Sequence, residues 1–205
     1  MSINDIELTQ ILSMTGLGKM PVTGGPAGLL LSPISQTIPI ERASSGNSTS
    51  SGVMSLSPIH IAIGQKITNI NFMNLNQAEA TGTHLWFALY DDGRGSTTAG
   101  QLALLGQTAD QTGSAAFGLN VNLGLSLIMP YTTTYSGIYY VAYMCAASTV
   151  PFVRGSALPG SVSISLGSSA GCLLGGTAGS GLLNLAPNPS GTVSAAATVF
   201  YAYVS

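Results

Sequence analysis

Charge is what this chain most lacks. Among 205 residues there are five Lys plus Arg and seven Asp plus Glu, 6% in all, where soluble domains carry about a quarter. The formal net charge of −2 leaves no basic patch for nucleic acid or an anionic membrane, and both are excluded as partners. Cysteine is nearly absent: Cys145 and Cys172 are the two, and without a secretory route they read as reduced thiols rather than a disulfide. The opening "MSINDIELTQ" has neither the basic n-region nor the apolar core of a signal peptide, so synthesis in the cytoplasm is expected. No apolar run approaches the roughly 18 residues that cross a bilayer.

What is present is hydrophobic and small. Hydrophobic residues make up 45% and mean hydropathy is +0.41. A surface with so little charge is either a carpet of Ser, Thr, Gly, Asn and Gln or is covered by other subunits, and the hydropathy favours covering. Residues 1–20 read as a short amphipathic helix, with Ser2 or Asn4 as cap, Asp5 and Glu7 in the first turn and Gly16 or Gly18 as stop. Its apolar residues Ile6, Ile11, Leu12 and Met14 need a partner surface, either on the same chain or on a neighbour. Residues 21–52 are rich in Pro, Gly and Ser and read as an extended arm. The run Leu29, Leu30, Leu31 inside it joins the helix as a candidate assembly contact. The sequon at Asn47 is a by-product of Ser/Thr-rich composition.

From Val53 to the end the pattern is one of short strands. "SPIHIAIG" sets Ile59, Ile61 and Ile63 on one face, with His60 and Ala62 on the other; "KITNINFMN" keeps Ile70 and Phe72 in step. "THLWFALYDDGRG" alternates Leu85, Phe87 and Leu89 against His84, Trp86, Ala88 and Tyr90 and ends in a turn at Asp92-Gly93. Many short strands between Gly, Asn and Pro turns predict an all-β, antiparallel β-sandwich of jelly-roll type over 53–205. A Gly/Leu-rich loop near 167–191 breaks the rhythm. Its Leu173, Leu174, Leu182, Leu183 and Leu185 must fold under the sandwich or form an interface.

The residues that carry chemistry are few and scattered. His60 and His84 lie in strand patterns, Asp91 and Asp92 are neighbours at a turn, and Asp110 stands alone. No triad, spaced carboxylate pair, GxSxG, HExxH, EF-hand, Walker loop or dinucleotide fingerprint is present. We expect no enzyme, cofactor or metal. The richest stretch is "PYTTTYSGIYYVAYM" (130–144), with five tyrosines. Tyr139, Val141, Tyr143 and Cys145 share one face, and Ile138, Tyr140, Ala142 and Met144 the other. A strand apolar on both faces is central and covered twice, by the second sheet and by another element or subunit. Trp86, Tyr90, Tyr139 and Tyr143 are the residues a ligand or partner face would use if that outer cover were missing.

The order "THLWFALYDD", "LLGQTADQT", "PYTTTYSGIYYVAYMCAASTVP" resembles a β-sandwich module of tailed-phage virion proteins, especially of phages of actinobacteria. In that family it occurs in minor tail proteins and in proteins decorating the head. The resemblance spans about Ser44 to Pro151. The Asp92-Gly-Arg-Gly insertion and the loop near Leu173 depart from it, and no binding residue is carried over. It implies a non-enzymatic virion protein and is silent about its place on the particle; one module behind a short N-terminal anchor favours a capsid decoration or minor capsid protein on the exterior of the virion. Its partners would be other virion proteins and copies of itself, most simply in a trimer. The alternative it implies is a minor tail protein that binds a host-surface receptor or glycan.

Overall fold

The structure is a computed structural model that describes residues 34–43, 45–75, 77–98, 100–111, 118–157 and 175–205. The helix expected over 1–20, the apolar contacts from Ile6 to Leu31, and Cys172 lie outside the described residues. Among the described residues the chain is all-β: thirteen strands and one 3-10 turn, Ile40–Arg42.

Every pairing is antiparallel. A four-stranded sheet has the order β1 (Ser35–Gln36), β13 (Ala202–Val204), β4 (Lys66–Met73), β7 (Asn122–Thr132). A six-stranded sheet runs β11 (Ser194–Ala195), β10 (Gly176–Ala178), β3 (Met54–Ile61), β8 (Gly137–Thr149), β5 (Ala80–Tyr90), β6 (Leu104–Gln107). A three-stranded sheet is formed by β12 (Thr198–Phe200), β9 (Phe152–Ala157) and β2 (Ser45–Ser48). The part of the expected arm that is described is thus extended but paired: β1 lies on β13 and β2 on β9.

The alternation read in β5 and β8 holds residue by residue, and two separate cores follow from it. Leu85, Phe87, Leu89, Tyr139, Val141, Tyr143 and Cys145 join Ile59 and Ile61 of β3 in one cluster. From the four-stranded sheet Ile67, Ile70, Phe72, Ala202 and Val204 meet them. The aromatic rings at its centre are tilted against each other, Phe72 to Phe87 at 4.8 Å and Phe72 to Tyr143 at 5.6 Å, a geometry that favours edge-to-face contact. On the opposite face of the six-stranded sheet, Met54, Leu56, Trp86, Ala88, Tyr90, Tyr140, Ala142 and Met144 form a second cluster. Ile63 departs from the expected face: β3 ends at Ile61, and Ile63 sits exposed in the turn that follows.

β7 bulges away from β4 partway along its length and then returns to it. Ser126 faces Asn69 and Tyr131 faces Ile67, so the four residues 127–130 stand opposite the single residue Thr68. Across that interval Leu127 bridges to Thr108, just beyond β6. Thr68 turns the other way and donates its N–H to the Ser205 carbonyl at 2.7 Å. The strand thereby ties the edges of the two larger sheets together.

Candidate functional site

The second face of the tyrosine strand is covered by the chain itself. Residues 182–193 have no regular structure and run as a strap over the second cluster, with Leu182, Ala186 and Val193 packed into it. The tips of the two largest aromatic side chains hold the strap by its carbonyls. Trp86 Nε1–H donates to Leu183 O at 2.7 Å, and the Tyr90 hydroxyl donates to Pro187 O at 2.8 Å. The Ala186 N–H donates to Gln107 Oε1 at 3.0 Å, while Ser190 and Leu102 exchange two bonds. Leu182 and Val193 are tied to Gly52 and Gly100. Ala186 and Ser190 are buried under the otherwise open strap, and the backbone groups turned toward the cluster find partners.

Of the four candidate ligand residues, Trp86 and Tyr90 face the strap and Tyr139 and Tyr143 face the other sheet; all are fully buried. They do not form one surface. Burial pushes the hydroxyls of Tyr90, Tyr139 and Tyr143 above the ordinary tyrosine range.

The polar residues are built into loops and strand ends. Asp91 is buried, and its carboxylate accepts N–H bonds from Gly93 (2.9 Å), Ala103 (2.8 Å) and Gly95. That staple closes the turn that Gly93 makes possible at φ +94°. Arg94 Nε–H bonds both oxygens of Asp92, at 3.0 and 2.8 Å, and the guanidinium lies 4.2 Å above the Tyr135 ring. Tyr135 in turn stacks on Tyr139 at 4.5 Å. The hydrogen bond and charge of Asp92 push the Arg94 pKa up. The ladder has no open ring face between Arg94 and Tyr139, so it locks the loop rather than offering a platform.

Sequence reasoning missed one pair. His84 Nδ1 lies 2.6 Å from Asp110 Oδ2, and Asp110 Oδ1 accepts the Leu85 N–H at 3.0 Å. The two residues are 26 apart in sequence, and no short motif announces them. The pair extends the β5–β6 ladder by replacing a backbone acceptor with a carboxylate. Thr83, the hydroxyl beside it in sequence, is committed to the Ala146 carbonyl at 3.0 Å. Among the described residues no three His, Cys, Asp or Glu come together as a metal site.

The surface is the more telling feature. Ile128 and Met129, in the interval where β7 bulges away from β4, are 62% and 75% exposed; Leu183 and Leu185, on the strap, are 60% and 66% exposed. Both pairs border β6: the strap bonds Gln107 and the Leu104 N–H, and Met129 O lies 3.6 Å from where a Gly106 Cβ would stand. From Gln111 to Ser205 the sequence has a single charged side chain, Arg154. No family model matches the chain, and no curated protein matches it.

Proposed function

We propose that this chain is a non-enzymatic structural protein of a tailed-phage particle, a capsid decoration or minor capsid protein on the virion exterior. Its two larger sheets are read as the layers of a jelly-roll-like sandwich. The observation that carries the reading is the apolar border of β6, where four large side chains stand in water on the isolated chain. Such a border is stabilised by a neighbouring subunit, and full burial of each side chain contributes about 1.5–3 kcal/mol, less what is already covered. The resemblance of residues 44–151 to phage virion modules supplies the kind of neighbour: other virion proteins and further copies of this chain, with a trimer the simplest closed arrangement.

The test is assembly of the Ile128→Lys/Met129→Lys variant. Both side chains are exposed, so the variant keeps its fold; it is expected to lose association with itself and with particles in sedimentation and size-exclusion experiments. Association unchanged from wild type would overturn this face as the contact. Tracing the chain in a particle map then decides head against tail: density repeated over the shell supports decoration, and density at the tail tip supports the minor tail protein.

A further inference from the structure

The outer face of the four-stranded sheet is of a different kind from the β6 border. Ile70, Phe72, Ala202 and Val204 point to the core, so Asn69, Asn71, Tyr203, Asn122, Gly124 and Ser126 point out. Register places Tyr203, Asn71 and Gly124 in one row across three strands, with Asn69 opposite Ser126 in the next.

The row is held rigidly. Asn122 Nδ2–H donates to the Tyr203 hydroxyl at 2.6 Å, and the Tyr203 ring rests against Tyr201 at 6.2 Å. Ser126 donates to Asn69 Oδ1 at 2.7 Å, and Asn69 donates on to Thr68 Oγ1 at 2.9 Å. Asn71 is 7% exposed although it faces outward, because its amide fills the place that a side chain at 124 would take: a Gly124 Cβ would come 2.2 Å from Asn71 Oδ1. Its Nδ2–H reaches the Tyr203 carbonyl only at 3.5 Å, and among the described residues its Oδ1 accepts no hydrogen bond. The Asn71 oxygen is therefore an acceptor held in place by its packing and open to a donor from outside the chain.

We propose that this face binds a neutral polysaccharide. A pyranose ring presents polarised C–H groups on one side, which suit the electron-rich face of a fixed aromatic ring such as Tyr203. A hydroxyl donated to Asn71 Oδ1 satisfies the open acceptor, and the Asn/Ser ladder offers further uncharged partners. The row Tyr203, Asn71, Gly124 is itself uncharged, with Lys66 at the far end of β4 the charged side chain on these strands, so a neutral chain lying along the row leaves no charge unpaired. This site is separate from the β6 border and stands whether or not the assembly reading holds.

The experiment is affinity electrophoresis of the full chain in gels containing dextran, soluble starch, yeast mannan or mixed-linkage β-glucan, with polygalacturonate and hyaluronate as charged controls. At least one neutral polymer is expected to retard the wild type. Tyr203→Ala, Asn71→Ala and Gly124→Ala, the last by displacing the Asn71 amide, are expected to weaken that binding tenfold or more. Tyr203→Phe keeps the ring and is expected to retain most of it, and Ile128→Lys/Met129→Lys to retain all of it. No retardation by any neutral polymer, stronger retardation by the charged ones, or retardation indifferent to Tyr203 and Asn71 would each overturn the proposal. So would a Tyr203→Ala variant that loses particle association while no sugar binding is detected, since the face would then be a protein contact.

Discussion

Cys145 is fully buried beside Tyr143, and burial, aided by the nearby Glu79 carboxylate, pushes its thiol up to about 12 from 9.0. Above pH 9 the unfolded chain releases a proton that the folded chain keeps, so stability falls as pH rises from about 9 toward 12. The Tyr90 and Tyr143 hydroxyls, raised by burial, act in the same direction from about pH 10 upward. The urea midpoint is therefore expected to drop steadily between about pH 8 and pH 11; a flat profile would show that these groups titrate alike in both states. In a Cys172→Ser background, native Cys145 is expected to resist a thiol reagent at about pH 8 that labels the unfolded chain at once. Trp86→Phe keeps most of the packing but leaves the Leu183 carbonyl without its donor. It should cost about 1–2 kcal/mol in urea denaturation.

Elements that alternate strictly were the ones legible in the sequence. In β5 and β8 every second residue is large and apolar and both faces are covered, so periodicity and burial agree. The inward Ile70 and Phe72 of β4 were equally plain. β7 was not, because Ile128 and Met129 lie in the bulged interval between two stretches paired with β4, and pairing rather than pattern decides what they face. The strap is illegible for a related reason: "LLNLAPNPSG" has no period, and side-chain tips of Trp86 and Tyr90, almost a hundred residues earlier, hold it. The reading that a second cover lies over the tyrosine strand needed only the apolar pattern; which segment supplies it needed the fold. The three-stranded sheet adds a test at this scale. A Cβ at Gly155 would stand 2.6 Å from the Val199 carbonyl, a backbone atom, whereas at Gly124 it meets a movable amide. Gly155→Ala is expected to destabilise by about 1–3 kcal/mol and Gly124→Ala by clearly less, measured side by side by thermal unfolding.

At the scale of the whole molecule, scarcity of charge and the placement of apolar side chains belong together. Only Arg154 interrupts a neutral run from Gln111 onward, and that run supplies β7, the strap and both strands of the 198–204 segment. The same segment has a topological role. β13 lies inside its sheet, between β1 and β4, and β12 pairs with β9; the Ser205 carbonyl then caps the bulge at Thr68 and Asn69. Removing residues 194–205 should therefore abolish cooperative unfolding rather than trim an end, and circular dichroism on heating would show a transition lost instead of shifted. Such a layout also sets an order of events during synthesis. β1 and β4 emerge early but cannot become neighbours through β13 until well over a hundred further residues have been made. Until then the growing chain exposes the edges of both strands together with the unsealed Trp86 face. Slow translation, or a shortage of the chaperones that shield nascent chains, should limit the yield of this protein more than a comparable loss of equilibrium stability.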